Sequence, residues 1–426
     1  MLIEFTVGNY RSFKDKKTLR MDAATSVSEH RENLISEGKH KLLRSAVLYG
    51  ANASGKSNLL RAMGLMRSNV LHSASRSSSD DIKIEPFLLT DTSEHRPSYF
   101  EAIFWINHSR YRYGFEIDKQ KCHSEWLFES KREVEKPLFI RENEDIQISK
   151  LFKEGKGLEA KTKPNSLFIS VCDQFNGFTS AQIVAWFNSL SVSPELTWLS
   201  RNWTIDSYFD EKLRGEAIAF IKKLDLSIEK IILKSENHYT QDFEGGDNYE
   251  MTLLTAKTIH QKFNEFGEPI ETVEFDMEEA ESSGTNKLFD LSGPIFYCLQ
   301  KGSLFIADEL DAKLHPLMTR AIVRLFNDPA TNPNNAQIIF ATHDTNLLSY
   351  GNFRRDQIYF TEKDQYGATD LYSLAEFKEE GNGKVRKDRS FYKDYMQGRY
   401  GAVPHIGNFE NLLNPSWQKS EAEANQ

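Results

Sequence analysis

The sequence is poor in cysteine, and its cysteines are not spaced for a metal site. Cys122, Cys172 and Cys298 are the three cysteines among 426 residues, and they stand far apart along the chain. This spacing excludes a compact disulfide framework and a cysteine-based zinc site, and it is typical of reduced thiols. We therefore expect a cytoplasmic protein.

Long apolar runs and an excess of positive charge are also missing. No run approaches the roughly 18 apolar residues of a membrane span, and the first residues alternate like a strand rather than reading as a signal peptide. The formal net charge of −9 argues against a globally basic nucleic-acid-binding protein, although it leaves room for a local basic patch. We expect no contact with a membrane.

Internal repeats are absent as well, so the length has to come from separate modules. A usual domain has about 100–200 residues, whereas this chain has 426. With 39% hydrophobic and 27% charged residues, the composition allows a large core. We expect two modules, or one module that carries an insertion.

The most informative stretch is Gly50–Ser57, which fits the pattern G-x-x-x-x-G-K-[ST] of a phosphate-binding P-loop. The apolar run Ser45–Tyr49 before it predicts a buried parallel strand. After it, Asn58–Met66 has apolar residues at helical spacing. A chance glycine–serine loop would not sit between a strand and a helix, so the context favours a nucleotide site.

Each residue type in this loop has a chemical reason to be there. Gly50 and Gly55 let the backbone turn its N–H groups inward around phosphate oxygens, and the following helix adds its positive dipole end. Lys56 can reach the β- and γ-phosphates, and the hydroxyl of Ser57 can ligate Mg²⁺. We assign Lys56 a catalytic role as well. The nucleotide-binding candidates of the loop are Gly50, Asn52, Ala53, Ser54, Gly55, Lys56, Ser57 and Asn58.

Two later apolar runs also end in polar residues. The run Leu304–Ala307 ends in Asp308, which is expected to hold Mg²⁺ together with Ser57, and in Glu309, which is expected to polarise the attacking water. The alternative is a strand followed by an ordinary charged turn. The run 337–341 leads to His343, which is placed to contact the γ-phosphate or the water, although a lone histidine is more often structural. A P-loop in the same chain favours catalysis in both cases.

Strand and helix patterns alternate along the chain and suggest where its modules lie. Buried strands followed by helical patterns recur near both ends, which predicts an α/β core with a mainly parallel sheet. Residues 82–117 are β-rich, residues about 145–225 are mostly helical, and a β pattern resumes over 228–275. We divide the chain into an N-terminal lobe with the P-loop (1–120), a mostly helical insertion (121–225) and a C-terminal lobe (226–426).

Four features together resemble the ABC-type ATPase heads of the RecF/SMC class, namely Gly8–Phe13, the P-loop, the Asp308–Glu309 pair and Thr342–Asp344. More closely, the chain resembles bacterial AAA-like ATPases of abortive-infection and related anti-phage systems. That resemblance rests on Tyr49–Ser57, Glu281–Thr285, Asp308–Pro316, Arg355–Phe360 and Gly398–Ala402. It implies an ABC-type P-loop ATPase head with a mixed-sheet core, an antiparallel β subdomain and a helical insertion. It says little about residues 120–225.

ABC heads also need a signature motif, usually Leu-Ser-Gly-Gly-Gln, which reads the γ-phosphate of the opposite protomer. Leu291–Gly293 is one candidate, but it leaves barely enough room for a helix and a strand before Asp308, and Pro294 follows at once. Glu281–Thr285 leaves enough room.

We therefore take Ser282 and Gly284 as the signature residues, although Glu281 replaces the usual leucine and Ser283 the usual glycine. The alternative is a polar turn that caps a helix, because serine and threonine are good N-caps. In similar heads the segment around Arg11 borders the nucleotide, so the resemblance makes Arg11 a further nucleotide-binding candidate. The alternative is a surface arginine in a β-turn.

The favoured interpretation is an ATPase that uses ATP and Mg²⁺ and forms a homodimer or higher oligomer of heads around ATP. The resemblance implies anti-phage defence, in which a phage-derived trigger is sensed and a separate effector is controlled. Because the chain shows no nuclease motif of its own, we expect the effector to be a nuclease of the TOPRIM or HNH type. The insertion is the expected contact region for partners.

The rival interpretation is a RecF/SMC-like DNA-repair head that binds DNA directly. Residues 120–225 are too short and irregular for the long heptad arms of SMC proteins, which counts against that class. A RecF-like DNA-binding head without coiled-coil arms remains an alternative interpretation.

Overall fold

The computed structural model describes residues 1–37, 40–131, 134–193, 204–205, 207–224, 227–241, 248–349, 351–378, 385–386 and 389–404. Part of the predicted helical insertion, 194–203, lies outside these residues. The strands β1 to β18 are Leu2–Gly8, Lys17–Arg20, Leu34–Glu37, His40–Leu43, Ser45–Tyr49, Ser98–Ile106, Ser109–Ile117, Cys122–Ser130, Lys136–Glu142, Asp145–Ile148, Ser191–Ser193, Ile228–Gln241, Asn248–Phe263, Pro269–Asp276, Leu304–Ala307, Gln337–Ala341, Ile358–Lys363 and Thr369–Ser373. The helices α1 to α8 are Lys56–His72, Phe168–Gln174, Phe178–Ser189, Glu211–Leu224, Ser283–Lys301, Pro316–Asn327, Asn346–Ser349 and Phe391–Met396.

The central sheet has six strands in the order β11-β15-β16-β5-β17-β18. Its first five strands run parallel, and only β18 pairs antiparallel with β17. Strands β5, β15 and β16 are buried along their whole length, as their continuous apolar sequences predict for a sheet covered on both faces. The predicted α/β class with a mixed core sheet is confirmed.

The alternation of side chains along these strands builds two cores, one on each face of the central sheet. Leu48, Ile306 and Ile339 belong to one apolar cluster, which also contains the buried residues of α1. Their neighbours along the strands, such as Val47 and Phe305, belong to a second cluster with the buried residues of α5 and α6. Successive residues of a strand point to opposite faces, so each strand contributes side chains to both cores.

A second, antiparallel sheet has seven strands in the order β10-β9-β8-β7-β6-β1-β2. Strands β6 and β7 form the predicted hairpin, and its turn residues Asn107 and His108 both have positive φ angles. Residues 122–148 form β8, β9 and β10, so the first part of the segment 121–225 is not helical. Their apolar residues alternate only partly, but pairing with β7 completes the sheet.

Two of the helices of that segment, α2 and α3, pack beside the P-loop helix α1. The Trp186 ring of α3 stacks on Phe104 of β6 with ring centroids 4.0 Å apart. The fully buried carboxylate of Glu125 on β8 accepts the backbone N–H groups of Phe168 (2.6 Å) and Ile169 (3.0 Å) at the start of α2. A carboxylate at a helix N-terminus satisfies donors that have no partner within the helix.

A three-stranded antiparallel sheet, β12-β13-β14, precedes the long helix α5. Helix α5 continues through Pro294. A proline inside a helix leaves the carbonyl four residues earlier without its N–H donor. Here the buried hydroxyl of Thr204 donates to the carbonyl of Asp290 at 2.9 Å, so a donor from outside the helix replaces the missing one.

Candidate functional site

The P-loop follows β5 and leads directly into α1. Gly55 is the N-cap of α1 with a φ angle of 118°, and Ala53 has a φ of 61°. Positive φ angles turn successive N–H groups toward one side of the loop, which makes a concave site for anions. A Cβ atom at Gly55 would collide with the side chain of Thr369, and one at Gly50 would collide with Thr361. Both positions therefore require glycine.

Lys56 lies inside this loop. Its Nζ donates to the carbonyl oxygens of Gly50 (2.8 Å) and Ala51 (3.1 Å), and its side chain is buried. Burial lowers the pKa of Lys56, while the nearby carboxylates of Asp308 and Glu309 act in the opposite direction. The ammonium group is thus held at the loop and faces the carboxylates of the next motif.

Residues of neighbouring segments hold the loop from two sides. The Ser54 hydroxyl lies 2.6 Å from Oγ1 of Thr361, and the Thr369 hydroxyl donates to the Ser54 carbonyl at 2.8 Å. Oγ of Ser12 accepts from Asn58 Nδ2 at 2.8 Å and lies 2.8 Å from Oγ1 of Thr369. Thr361 lies in the buried part of β17, and Ser12 lies within the Gly8–Phe13 feature, so both carry a signal in the sequence, whereas Thr369 has none.

Arg11 stands in the turn that carries Ser12. It has a φ of 48°, and its guanidinium forms an ion pair with Glu85 at 2.9 Å. Its Nε is buried and has no hydrogen-bond partner. The turn contacts the P-loop helix through Ser12, so Arg11 lies beside the predicted nucleotide site, and no side-chain hydrogen bond joins it to a P-loop residue in the described part of the chain. Its nucleotide contact stays a prediction.

The carboxyl ends of three adjacent parallel strands bring the motifs together. Strand β16 lies between β15 and β5 and pairs with both. Asp308 follows β15, Thr342 follows β16 and Gly50 follows β5. Parallel strands end at one edge of a sheet, where open α/β sheets bind their ligands. The structure therefore places the three predicted motifs at one edge.

Asp308 is buried, and its Oδ1 atom has no hydrogen-bond partner. An unpaired buried carboxylate oxygen is costly unless a cation or a donor reaches it. This arrangement fits a Mg²⁺ ion, because carboxylate and hydroxyl oxygens are the ligands that this ion prefers. Asp308 and Ser57 are the residues that would hold it.

Glu309 is exposed and has a φ of 46°, a rare conformation for a residue other than glycine. The left-handed conformation turns the chain between Asp308 and Leu310, so that the one carboxylate is buried while the other reaches the surface. The loop then continues to Asp311. Both carboxylate oxygens of Asp311 accept from the backbone N–H of His343 at 3.3 Å.

His343 has an exposed side chain at the end of β16. The next residue is fixed by the buried Tyr49, whose hydroxyl donates to the carbonyl of Asp344 at 3.0 Å. Burial, assisted by Asp344 and Asp311, raises the pKa of Tyr49 well above its usual value, so its hydroxyl stays protonated as a donor. The backbone on both sides of His343 is therefore held, and its imidazole remains accessible.

Ser282 is the N-cap of α5. Its Oγ accepts from the backbone N–H of Thr285 at 3.1 Å, so the helix-capping alternative describes its contacts within the chain. Gly284 lies against the loop after Glu309, since a Cβ atom there would be 3.0 Å from the carbonyl oxygen of Lys313. The competing candidate Ser292 is fully buried within α5, where it cannot reach another molecule. The role of Ser282 and Gly284 stays a prediction.

Two other features are absent from the part of the chain that the structure describes. No group of three or more histidine, cysteine, aspartate and glutamate side chains could hold a metal ion among them. None of their helices is long and apolar enough to cross a membrane.

A family model described as "AAA domain, putative AbiEii toxin, Type IV TA system" matches residues 45–349. The matched residues contain the P-loop, the Asp308–Glu309 pair, His343 and the candidate signature. A search of the curated proteins found no match.

Solved structures of SMC heads are similar to the chain at low identity. An SMC head bound to the C-terminal winged-helix domain of ScpA has 13% identity and a TM-score of 0.44, over 87% of this chain and 97% of that one. The SMC head domain from Thermotoga maritima has 12% identity and a TM-score of 0.40, over 87% and 98%. An SMC head with an extended coiled coil, bound to the C-terminal domain of ScpA derived from Pyrococcus furiosus, has 13% identity and a TM-score of 0.35. The match covers 87% of this chain and 96% of that one.

Proposed function

The chain belongs to the family described as an AAA domain and putative AbiEii toxin of type IV toxin–antitoxin systems, and we propose that it is a Mg²⁺-dependent ATPase whose heads pair on ATP. The observation that carries this proposal is the meeting of three motifs at the ends of β5, β15 and β16. A phosphate-binding loop alone would support nucleotide binding. A P-loop beside a buried carboxylate with one unpaired oxygen, Asp308, and an exposed carboxylate, Glu309, supports hydrolysis.

Each residue of the site has a task that follows from its position. The inward N–H groups of the P-loop and the Lys56 ammonium bind the β- and γ-phosphates. Ser57 and Asp308 would hold Mg²⁺, which would supply positive charge beside the phosphate oxygens. Glu309 reaches the surface and takes the proton of the attacking water, and the accessible imidazole of His343 stabilises the γ-phosphate.

Pairing of heads is the second part of the proposal. Glu309, His343 and Ser282 are all exposed in the single chain, so a second head that covers this edge would exclude water from the reacting phosphate. Exclusion of water strengthens every electrostatic interaction at the site. Ser282 of one head would then contact the γ-phosphate of the ATP that is bound by the other head.

The output of the ATPase is proposed to be control of a separate effector in anti-phage defence, with a nuclease as the effector class. The family description supports this in one respect, since a toxin–antitoxin system contains a second component. A phage-derived trigger completes the proposal. Direct DNA binding is not favoured by any group of contacts in the described residues, and the net charge of −9 weighs against it.

Hydrolysis and binding can be separated with two variants. Lys56→Ala should lower ATP affinity by at least about tenfold, because it removes the cation of the P-loop. Glu309→Gln should lower kcat by about 100-fold while ATP still binds, because an amide cannot accept the proton. Hydrolysis is measured by phosphate release, binding by calorimetry, and pairing by ultracentrifugation with and without ATP. Wild-type turnover in Glu309→Gln would refute the catalytic assignment. A chain that stays monomeric in ultracentrifugation both with and without ATP would refute pairing.

A further inference from the structure

A nearly buried hydrogen-bonded pair joins the three-stranded sheet to the residue before the N-cap of α5. Nε2 of His260 on β13 lies 2.6 Å from Oε1 of Glu281, and the Thr258 hydroxyl donates to the same oxygen. Only 15% of the His260 side chain and 9% of the Glu281 side chain are exposed. Glu281 is the residue that stands where the usual signature motif has leucine, so a charged contact replaces an apolar one at this position.

Several contacts set the orientation of this pair. Thr258 is fully buried, and its hydroxyl also lies 3.0 Å from Nε2 of His260. The His260 ring packs against Phe275 of the neighbouring strand, with ring centroids 4.9 Å apart. A buried carboxylate held by two donors has little freedom to reorient, and its loss would leave polar groups of the sheet without their acceptor.

The same residue holds the turn that presents Ser282. The backbone carbonyls of Glu281 and Ser282 both accept from Nδ2 of Asn286 at 3.2 Å, and Oγ of Ser282 accepts from the N–H of Thr285. The side chain of Glu281 therefore fixes one end of the turn to the sheet, and its backbone fixes the other end to the helix. Ser282 itself remains exposed.

On its other side, this turn touches the catalytic loop of the same chain. Gly284 lies against the carbonyl of Lys313, two residues after Asp311, and the carboxylate of Asp311 accepts the N–H of His343. Contacts thus run without interruption from β13, through Glu281 and the turn, to the loop that carries Glu309. The three-stranded sheet is therefore adjacent, through this turn, to the loop that carries Glu309.

We propose that Glu281 is a positioning residue: clamped by His260 and Thr258, it sets the orientation in which Ser282 meets the γ-phosphate of the opposite head. It thereby makes the three-stranded sheet part of the ATP-dependent pairing surface. This inference rests on the proposed pairing of heads. It differs from what a leucine would do at this position, because an apolar side chain accepts no hydrogen bond from the histidine or the threonine.

The variants Glu281→Leu, Glu281→Ala and Glu281→Gln separate this role from a purely apolar one. The glutamine keeps an acceptor oxygen of similar reach, and we expect it to retain most of the pairing and turnover. Leucine and alanine should weaken ATP-dependent pairing and lower kcat by about tenfold or more, the loss expected when a charged hydrogen-bonded group is removed. Pairing is measured in the Glu309→Gln background, where ATP persists, and turnover in the wild-type background.

Nucleotide affinity distinguishes positioning from general damage. The P-loop of the same chain does not contact Glu281, so the affinity of the isolated head for a fluorescent ADP analogue should stay within about twofold of wild type. Glu271→Gln is the matched control, because Glu271 forms a 2.6 Å ion pair with Lys262 on the same sheet but is 60% exposed. We expect no change in pairing or turnover for this control.

The possible outcomes are distinct. Glu281→Leu at or above wild-type pairing would overturn the positioning role, as would a parallel loss of ADP affinity in the leucine and alanine variants. If these variants fold poorly, His260→Ala tests the same clamp from the sheet side and should weaken pairing in the same direction, and unchanged pairing in it would also overturn the role. If wild type binds nucleotide but never pairs, the proposed function has failed before Glu281 is tested, and the inference falls with it.

Discussion

At the scale of single residues, hydrogen bonds between side chains and the backbone hold the candidate site in place. Lys56 is held by two carbonyls of its own loop, and burial lowers the pKa of its ammonium group while carboxylates across the site act against that change. Asp311 belongs to the same set, because its carboxylate accepts the backbone N–H of His343 through both oxygens. It fixes His343 without occupying the nucleotide site.

Asp311→Ala should therefore impair turnover more than binding. Loss of the acceptor frees the backbone at His343, and we expect kcat to fall by roughly threefold to tenfold, the cost of one modest hydrogen bond. ATP affinity, measured by calorimetry, should stay unchanged because the P-loop is intact. Asp311→Asn keeps one acceptor oxygen and serves as the control. An equal loss of affinity and turnover in Asp311→Ala would contradict this role.

At the scale of elements, helix α5 links the second core to the candidate signature. Its buried face packs in the cluster that also contains α4 and α6. Two features allow the close approach of the chain at Thr204. Gly293 has no Cβ, and a Cβ there would lie 2.6 Å from the Cα of Thr204. The Thr204 hydroxyl then reaches the carbonyl of Asp290. The helix can thus continue through Pro294.

Thr204→Val should destabilise the protein with little change in shape. Valine has nearly the same volume but no hydroxyl, so the donor to the Asp290 carbonyl is lost in a buried place. We expect the free energy of unfolding in urea to fall by about 1–3 kcal/mol. Thr204→Ser keeps the hydroxyl and should lose less. Equal stability of the valine variant and wild type would show that this donor does not support the helix.

At the scale of the whole molecule, regions far apart in sequence meet at the proposed ATP site. The N-terminal turn, the P-loop, the loop after β15 and the β17–β18 pair all contribute contacts to it. The seven-stranded sheet and the three-stranded sheet are separate from the central sheet that carries these motifs.

The purified chain should be inert toward nucleic acid and act only with an effector. The chain is incubated with DNA or RNA, with Mg²⁺ or Mn²⁺, and with ATP, and cleavage is followed on gels. We expect no cleavage by the chain alone, because the proposed chemistry of its site is confined to phosphoanhydride hydrolysis. Glu309→Gln is the control. Robust cleavage that survives this substitution would reveal a nuclease centre in this chain and would overturn the regulator proposal.

The sequence by itself determined the elements of the site that depend on neighbours along the chain. The P-loop between β5 and α1, the buried strands before Asp308 and His343, and the N-cap position of Ser282 all follow from local patterns of apolar and polar residues. Such patterns are readable because burial on a sheet and the capping of a helix act over a few residues.

The tertiary structure alone decided which distant residues meet. Nothing local pairs Glu281 with His260, brings Ser12 to Thr369, or lets Thr204 compensate for Pro294. Each of these contacts depends on the order of strands in a sheet and on the packing of a helix. Those are settled by the burial of the whole chain, because a single side-chain contact contributes too little free energy to select a fold.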